Sequence, residues 1–220
     1  MKFVYDKRAG ESILSVKEDV YKYLFKVRRF KVKDKIDVRN LTDNFLYSYE
    51  IERVDKREAI LNLIGKKEEI VKPFKFFHLF WCIVDPKTIE RALPMLNEIG
   101  VGKITFLYCD RSQKNFRVDL KRLERILINS CMQCGRSSLM ELEVKKGIEE
   151  IDKDNLIVLD FNRDEVKDIN NINKLIVGPE GGFSDREREF FKNLQGFSFQ
   201  TPLVLKSETA CISASSKILL

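Results

Sequence analysis

From Phe74 to the last residue, short apolar runs alternate with segments of helical periodicity, and this alternation restricts the fold more than any other feature of the chain. Phe74–Val84 is an apolar run suited to a buried strand. Pro86 opens a helix that runs through Glu98 and stops at Gly100, since proline suits the first helical turn and glycine the left-handed cap. Ile104–Tyr108 predicts the next strand and Leu120–Met132 a long helix. Leu139–Val144, Leu156–Leu159 and Leu175–Val177 read as further strands. Ser184-Asp185-Arg186-Glu187 is a capping box that opens a helix to Leu194. Phe197–Phe199 and Leu203–Leu205 read as short strands, and Ser207 as the cap of a last helix. This order implies an α/β fold, a mostly parallel sheet with helices on both faces.

Residues 1–70 follow a different pattern. Tyr21–Val38 alternates Phe25, Val27, Phe30, Val32 and Ile36 with Lys26, Arg28, Lys31, Lys33 and Lys35, which predicts a strand with a bulge or turn at Arg28-Arg29. Phe45–Val54 and Glu58–Ile64 predict two more strands joined by the Asp55-Lys56-Arg57 turn. A small β-barrel-like module over 1–70 follows, with Lys66–Lys72 as linker and an α/β domain over 73–220. The formal net charge of +6 is uneven: residues 1–72 hold 18 Lys and Arg against 13 Asp and Glu, the remainder 22 against 21. A basic excess confined to one module suits a polyanion such as RNA. Arg28, Arg29, Lys31 and Lys33 are its candidate contacts, with a merely solvated strand face as the alternative. Tyr21, Tyr23, Phe25 and Phe30 suit either base stacking or a small core.

Other function classes find little support. The longest uncharged apolar stretch, Phe76–Val84, is far too short to span a membrane, and Met1–Gly10 is too charged for a signal peptide, so a cytoplasmic protein is expected. Five cysteines, an odd number, do not resemble a disulfide framework. Cys131 and Cys134 have a metal-like spacing but lack the second pair that a zinc site requires, so no metal is expected. The single histidine, His78, lies in an apolar run and reads as structural.

The feature richest in chemistry is Val177-Gly178-Pro179-Glu180-Gly181-Gly182, which follows a strand and precedes a capped helix. Parallel sheets bind ligands beyond the carboxyl ends of their strands, and glycines there let a ligand touch the main chain. No Lys-Ser/Thr pair follows, so the turn is not a phosphate loop, and the dinucleotide fingerprint is absent. A tight connection without any ligand fits the pattern as well. Downstream, Leu203–Ala210 passes from strand to helix, and Ala210, Ser213, Ala214, Ser215 and Ser216 give that helix a face that could approach another backbone closely.

GPEGGFS, followed about two dozen residues later by LVLKSETA, resembles the RsmE family, the small-subunit ribosomal RNA uridine methyltransferases of the SPOUT class. Asn97-Glu98-Ile99-Gly100-Val101, Asp110-Arg111-Ser112 and Gln133-Cys134-Gly135-Arg136 are similar to further family stretches in the right order, and Lys26-Val27-Arg28-Arg29 resembles its PUA-like RNA-binding domain. The resemblance covers nearly the whole chain. Departures stand at Thr201, Leu203, Lys206 and Met140, and at the family's histidine before V-L-R, which this chain lacks.

The resemblance implies a PUA-like β-barrel before a SPOUT domain with a deep trefoil knot. It implies S-adenosylmethionine as cofactor, 16S ribosomal RNA or the small subunit as substrate, and a homodimer. The expected reaction is methylation of a uracil ring nitrogen to 3-methyluridine. Carried over, the cofactor residues are Leu159, Val177, Gly178, Pro179, Glu180, Gly182, Leu203, Val204, Leu205 and Thr209. Arg136 and Arg111 are candidates to hold the uracil as its charge develops, and Glu180 to act as base, counter the sulfonium or orient a loop. Rival readings are a SPOUT methyltransferase acting on ribose 2′-hydroxyls or transfer RNA, and a non-catalytic RNA-binding assembly factor.

Overall fold

The computed structural model describes residues 2–113, 115, 117–160 and 171–220. They form two compact units: Met1–Lys72 with Cys131–Leu139, and Pro73–Ser130 with Met140–Leu220.

The first unit is a five-stranded mixed sheet ordered β1-β3-β4-β5-β2, with β1 Val4–Tyr5, β2 Ile13–Lys17, β3 Lys35–Arg39, β4 Phe45–Val54 and β5 Glu58–Glu68. The Asp55-Lys56-Arg57 turn joins β4 to β5 as expected, closed by the Asp55 N–H on the Glu58 carbonyl at 2.8 Å. Alternate residues of the hairpin point inward, and Tyr49, Ile51, Ala59 and Leu61 are buried. The sheet core also takes in the residues that follow β2. Tyr21–Val38 is not a strand there: Glu18–Tyr21 is a short helix, α1, continued by a π-helical turn over Lys22–Val27, and β3 begins only at Lys35. Tyr21 and Leu24 are buried while Lys22, Lys26 and Arg28 are exposed, and the Tyr21 and Phe25 rings meet at 5.1 Å. The helical spacing of Tyr21, Leu24 and Phe25 outweighs the two-residue alternation, because it places all three on the same core. Tyr23 and Phe30 pack against it too, so these aromatics serve the core. Lys66–Lys72 is also only partly linker, since β5 runs on to Glu68.

In the second unit, β6 His78–Cys82, β7 Lys103–Leu107, β8 Glu141–Lys145, β9 Leu156–Leu159, β10 Lys174–Val177 and β11 Gly196–Phe197 form an all-parallel sheet ordered β11-β9-β10-β6-β7-β8. Of the apolar run Phe74–Val84, only His78–Cys82 pairs as a strand. Helix α2, Pro86–Ile99, is capped at one end by the Asp85 carboxylate, which accepts the Thr88 N–H at 3.0 Å, and at the other by Gly100 at φ +109°. Helix α4, Asp185–Phe190, carries the capping box of Ser184 and Glu187 and ends four residues earlier than its pattern suggests. Helix α5, Ser207–Leu219, buries Ala210, Cys211, Ala214 and Ser215 and packs beside α2. Leu203–Leu205 forms no strand. Helix α3, Leu120–Cys134, contributes its last turn to the first unit's cluster.

Against the sequence expectation, Cys82 and Cys109 form a disulfide, while Cys131, Cys134 and Cys211 take part in none. The sheet, not the spacing in sequence, brings the ends of β6 and β7 together: Cys82 pairs in register with Leu107, two residues before Cys109. No described helix is long and apolar enough to cross a membrane, and no group of three or more His, Cys, Asp or Glu among the described residues is placed to hold a metal.

Candidate functional site

The register of the parallel sheet builds the site. Val177 at the end of β10 lies opposite Leu159, the last residue of β9, on one side and Trp81, one residue before the end of β6, on the other. Beyond these ends lies an apolar cavity. Its floor comes from Leu159 and Val177, one wall from Gly178, Pro179, Glu180 and Gly182, and another from Val204 and Leu205. Eight of the ten residues expected to hold the cofactor are brought together here. Leu203 and Thr209 are exposed and do not line the cavity.

The glycine turn needs its glycines unequally. Gly182 has φ +64°, a left-handed conformation, and its N–H closes the turn on the Pro179 carbonyl at 2.9 Å. A Cβ on Gly181 would lie 3.3 Å from the Arg111 side chain, whose Nη1 donates to the Gly181 carbonyl at 2.7 Å. Arg111 thus braces the turn from outside. The residue before it is welded to the next helix: the Asp110 N–H donates to the Glu187 carboxylate at 2.8 Å, while the Asp110 carboxylate accepts from Ser184 Oγ at 2.5 Å and Arg186 Nη2 at 2.8 Å. Glu187 is fully buried and also accepts the Ser184 N–H at 2.8 Å.

Sequence reasoning missed two parts of this site. Ser207 reads as a helix cap, but it is the first residue of α5 and its side chain does not cap the helix. Its buried hydroxyl accepts from Trp81 Nε1 at 2.9 Å and donates to the Gly178 carbonyl at 2.6 Å, locking the glycine turn to β6 and to α5. Asp160, directly after β9, and Arg188, on α4, line the cavity as an ion pair. Nothing local marks Trp81, Ser207, Asp160 or Arg188 in sequence, because each acts through a partner at least 28 residues away.

The remaining candidates are placed as follows. Glu180 is exposed at the cavity rim. Arg136 belongs to the first unit, just after Gly135, which ends α3 at φ +94°. Arg136 is buried, and burial pushes its guanidinium below its ordinary value, against the opposing influence of Cys131 and Cys134. The segment is held by the Ser137 N–H on the Val71 carbonyl at 2.9 Å and the Val71 N–H on Ser137 Oγ at 3.1 Å. Arg28, Arg29, Lys31 and Lys33 are all exposed, on a loop rather than a strand face. Arg29 and Lys33 have φ of +60° and +75°, and Lys33 Nζ pairs with Glu50 at 2.9 Å.

Comparison with known proteins gives a consistent result. Residues 72–219 match the model of an RNA methyltransferase domain and residues 16–64 that of an RNA methyltransferase PUA domain. The chain is 42% identical to the ribosomal RNA small subunit methyltransferase E of Helicobacter pylori over 98% of both chains. It is 30% identical to that of Aquifex aeolicus over 97% of this chain and 96% of the other. Among solved structures, a methyltransferase from Legionella pneumophila with bound S-adenosylmethionine superposes with a TM-score of 0.83 at 25% identity, covering 99% of this chain and 96% of that one.

Proposed function

The chain belongs to the RNA methyltransferase family that contains the ribosomal RNA small subunit methyltransferases E, and from that membership we propose that it transfers a methyl group from S-adenosylmethionine to N3 of a uridine in 16S ribosomal RNA. The observation that carries this reading is the cavity beyond β9 and β10, framed by the glycine turn and the approach to α5. Its chemistry fits the cofactor. Apolar faces of Leu159, Val177 and Leu205 suit an adenine ring, and main-chain groups along Gly178–Gly182 suit its polar edge. When bound there, S-adenosylmethionine supplies an electrophilic methyl group on a sulfonium.

The chain's residues have three tasks. The first is alignment, because fixing the reacting atoms on one line supplies several kcal/mol. Ser207 and Arg111 serve it by fixing both ends of the glycine turn. The second is removal of the proton from N3. Glu180, an exposed carboxylate at the rim, is the proposed acceptor. The third is stabilising negative charge on the uracil oxygens, which we assign to Arg136, since a planar, permanently charged fork suits two ring oxygens better than an ammonium does. The first unit, a PUA-like RNA-binding domain in this reading, contacts phosphates through Arg28, Arg29, Lys31 and Lys33. A trefoil knot in the second unit, a homodimer and a cytoplasmic location complete the proposal.

Arg136→Ala tests the chemistry apart from binding. The expected result is unchanged S-adenosylmethionine affinity with a single-turnover rate roughly a hundredfold lower, the scale of one lost preorganised donor, and partial recovery in Arg136→Lys. A wild-type rate in an alanine variant that only melts earlier would remove the catalytic role.

A further inference from the structure

The cavity is mainly apolar, and Asp160 and Arg188 meet on its lining as an ion pair. The Asp160 side chain is only 7% exposed. Its Oδ2 is paired with Arg188 Nη1, which leaves Oδ1 outside the pair. A carboxylate this shielded from solvent favours any further donor that reaches it, because little water is there to serve it. The strand register puts Asp160 opposite Gly178, the first residue of the turn, since Leu159 pairs with Val177. The main chain fixes it there, its N–H donating to the Phe197 carbonyl at 3.1 Å. Arg188 ties the same point to the turn's far end. Its Nε donates to the Phe183 carbonyl at 3.3 Å, and its Nη2 lies 3.9 Å from where a Cβ on Gly182 would stand.

We propose that Asp160 is the acceptor for the ribose hydroxyls of the cofactor, and that Arg188 is the positioning residue that holds its carboxylate toward the cavity. The inference rests on the cavity being the S-adenosylmethionine site. A ribose carries two hydroxyl donors into a cavity whose other described side chains are mainly apolar, and a carboxylate at the end of a parallel strand beside a glycine turn is the usual complement to such a diol. Arg188 occupies one oxygen, which fixes the rotamer and leaves the other for the ligand. One guanidinium thereby couples two of the loops that surround the cofactor, so its loss affects binding without its touching the transferred methyl group.

The test uses calorimetric binding of S-adenosylhomocysteine, of 5′-methylthioadenosine, which lacks the amino-acid end, and of 2′,3′-dideoxy-5′-methylthioadenosine. Asp160→Asn is expected to weaken the first two ligands alike, roughly tenfold or more, as one charge-assisted hydrogen bond is lost. Arg188→Ala should weaken both, and Arg188→Lys should recover part of the loss. In the wild type, removing the hydroxyls from the ligand should cost a similar factor, and in Asp160→Asn that cost should largely vanish. The wild-type comparison needs no variant to fold. Equal wild-type affinity for the hydroxyl and dideoxy ligands would overturn the inference. So would a loss in Asp160→Asn confined to S-adenosylhomocysteine, which would place the carboxylate at the amino-acid end. Failure of the wild type to bind S-adenosylhomocysteine at all would overturn the cavity assignment itself.

Discussion

Replacing Ser207 by alanine removes one oxygen from the junction of β6, the glycine turn and α5. In the native chain that oxygen serves two groups, the indole N–H of Trp81 and the carbonyl of Gly178. Trp81 is fully buried and Ser207 nearly so, which leaves little room for water to replace the hydroxyl. A buried polar group left without a partner costs about 1–3 kcal/mol, so two such groups cost about 3 kcal/mol together. For a protein of this size that lowers the melting temperature by about 6–12 °C. Trp81 is the only tryptophan, so fluorescence excited selectively at the indole reports this junction. Ser207→Ala should shift the emission of Trp81, lower the transition seen by that probe and weaken S-adenosylmethionine binding, because the start of the turn is released. Trp81→Phe and the double variant, followed by circular dichroism because they lack the indole, complete a cycle in which the coupling should reach about 1 kcal/mol. A melting temperature within about 1 °C of wild type, with unchanged cofactor affinity and no coupling, would refute the reasoning.

Other outcomes follow from the same geometry. Gly182→Ala has open space, the nearest atom standing 3.9 Å away, but must adopt φ +64°, so it should cost about 1–2 kcal/mol; Gly182→Val should cost more, and calorimetry should show both as lost cofactor affinity. Neutralising Arg28, Arg29, Lys31 and Lys33 together should flatten the salt dependence of RNA binding by roughly one unit of slope per lost contact and leave cofactor binding unchanged. Lys33→Gln alone should matter least, since Lys33 already pairs with Glu50. Burial, with Lys103 adding to it, holds His78 down to about 4, against 6.5 for the unperturbed group. The unfolded chain therefore binds a proton between those values that the folded chain refuses. The stability contributed by neutral His78 is complete above about pH 6.5 and is lost as pH falls toward 4, by on the order of 1–3 kcal/mol for this half-buried ring, and His78→Gln should flatten that part of a pH–stability curve.

The second unit was largely legible because its signals are local. Asp85-Pro86 and Gly100 bound α2, Ser184 and Glu187 open α4, and the glycine turn names itself by composition. The first unit was harder because Tyr21–Arg28 satisfies two periods at once, and only the core that collects Tyr21, Leu24 and Phe25 decides between them. Leu203–Leu205 has strand composition yet joins no strand among the described residues, and it lines the cavity through Val204 and Leu205. The parts of the site that escaped the sequence, Trp81 with Ser207 and Asp160 with Arg188, exist only once strand register has joined distant residues.

The most direct test of the account incubates the purified protein and S-adenosylmethionine with small-subunit ribosomal RNA or subunits that lack the modification, then digests the RNA to nucleosides for mass spectrometry. The account predicts a new 3-methyluridine that disappears when Gly182→Val replaces the wild type. A methyl group on ribose, on another base, or on no nucleoside of either substrate would contradict it.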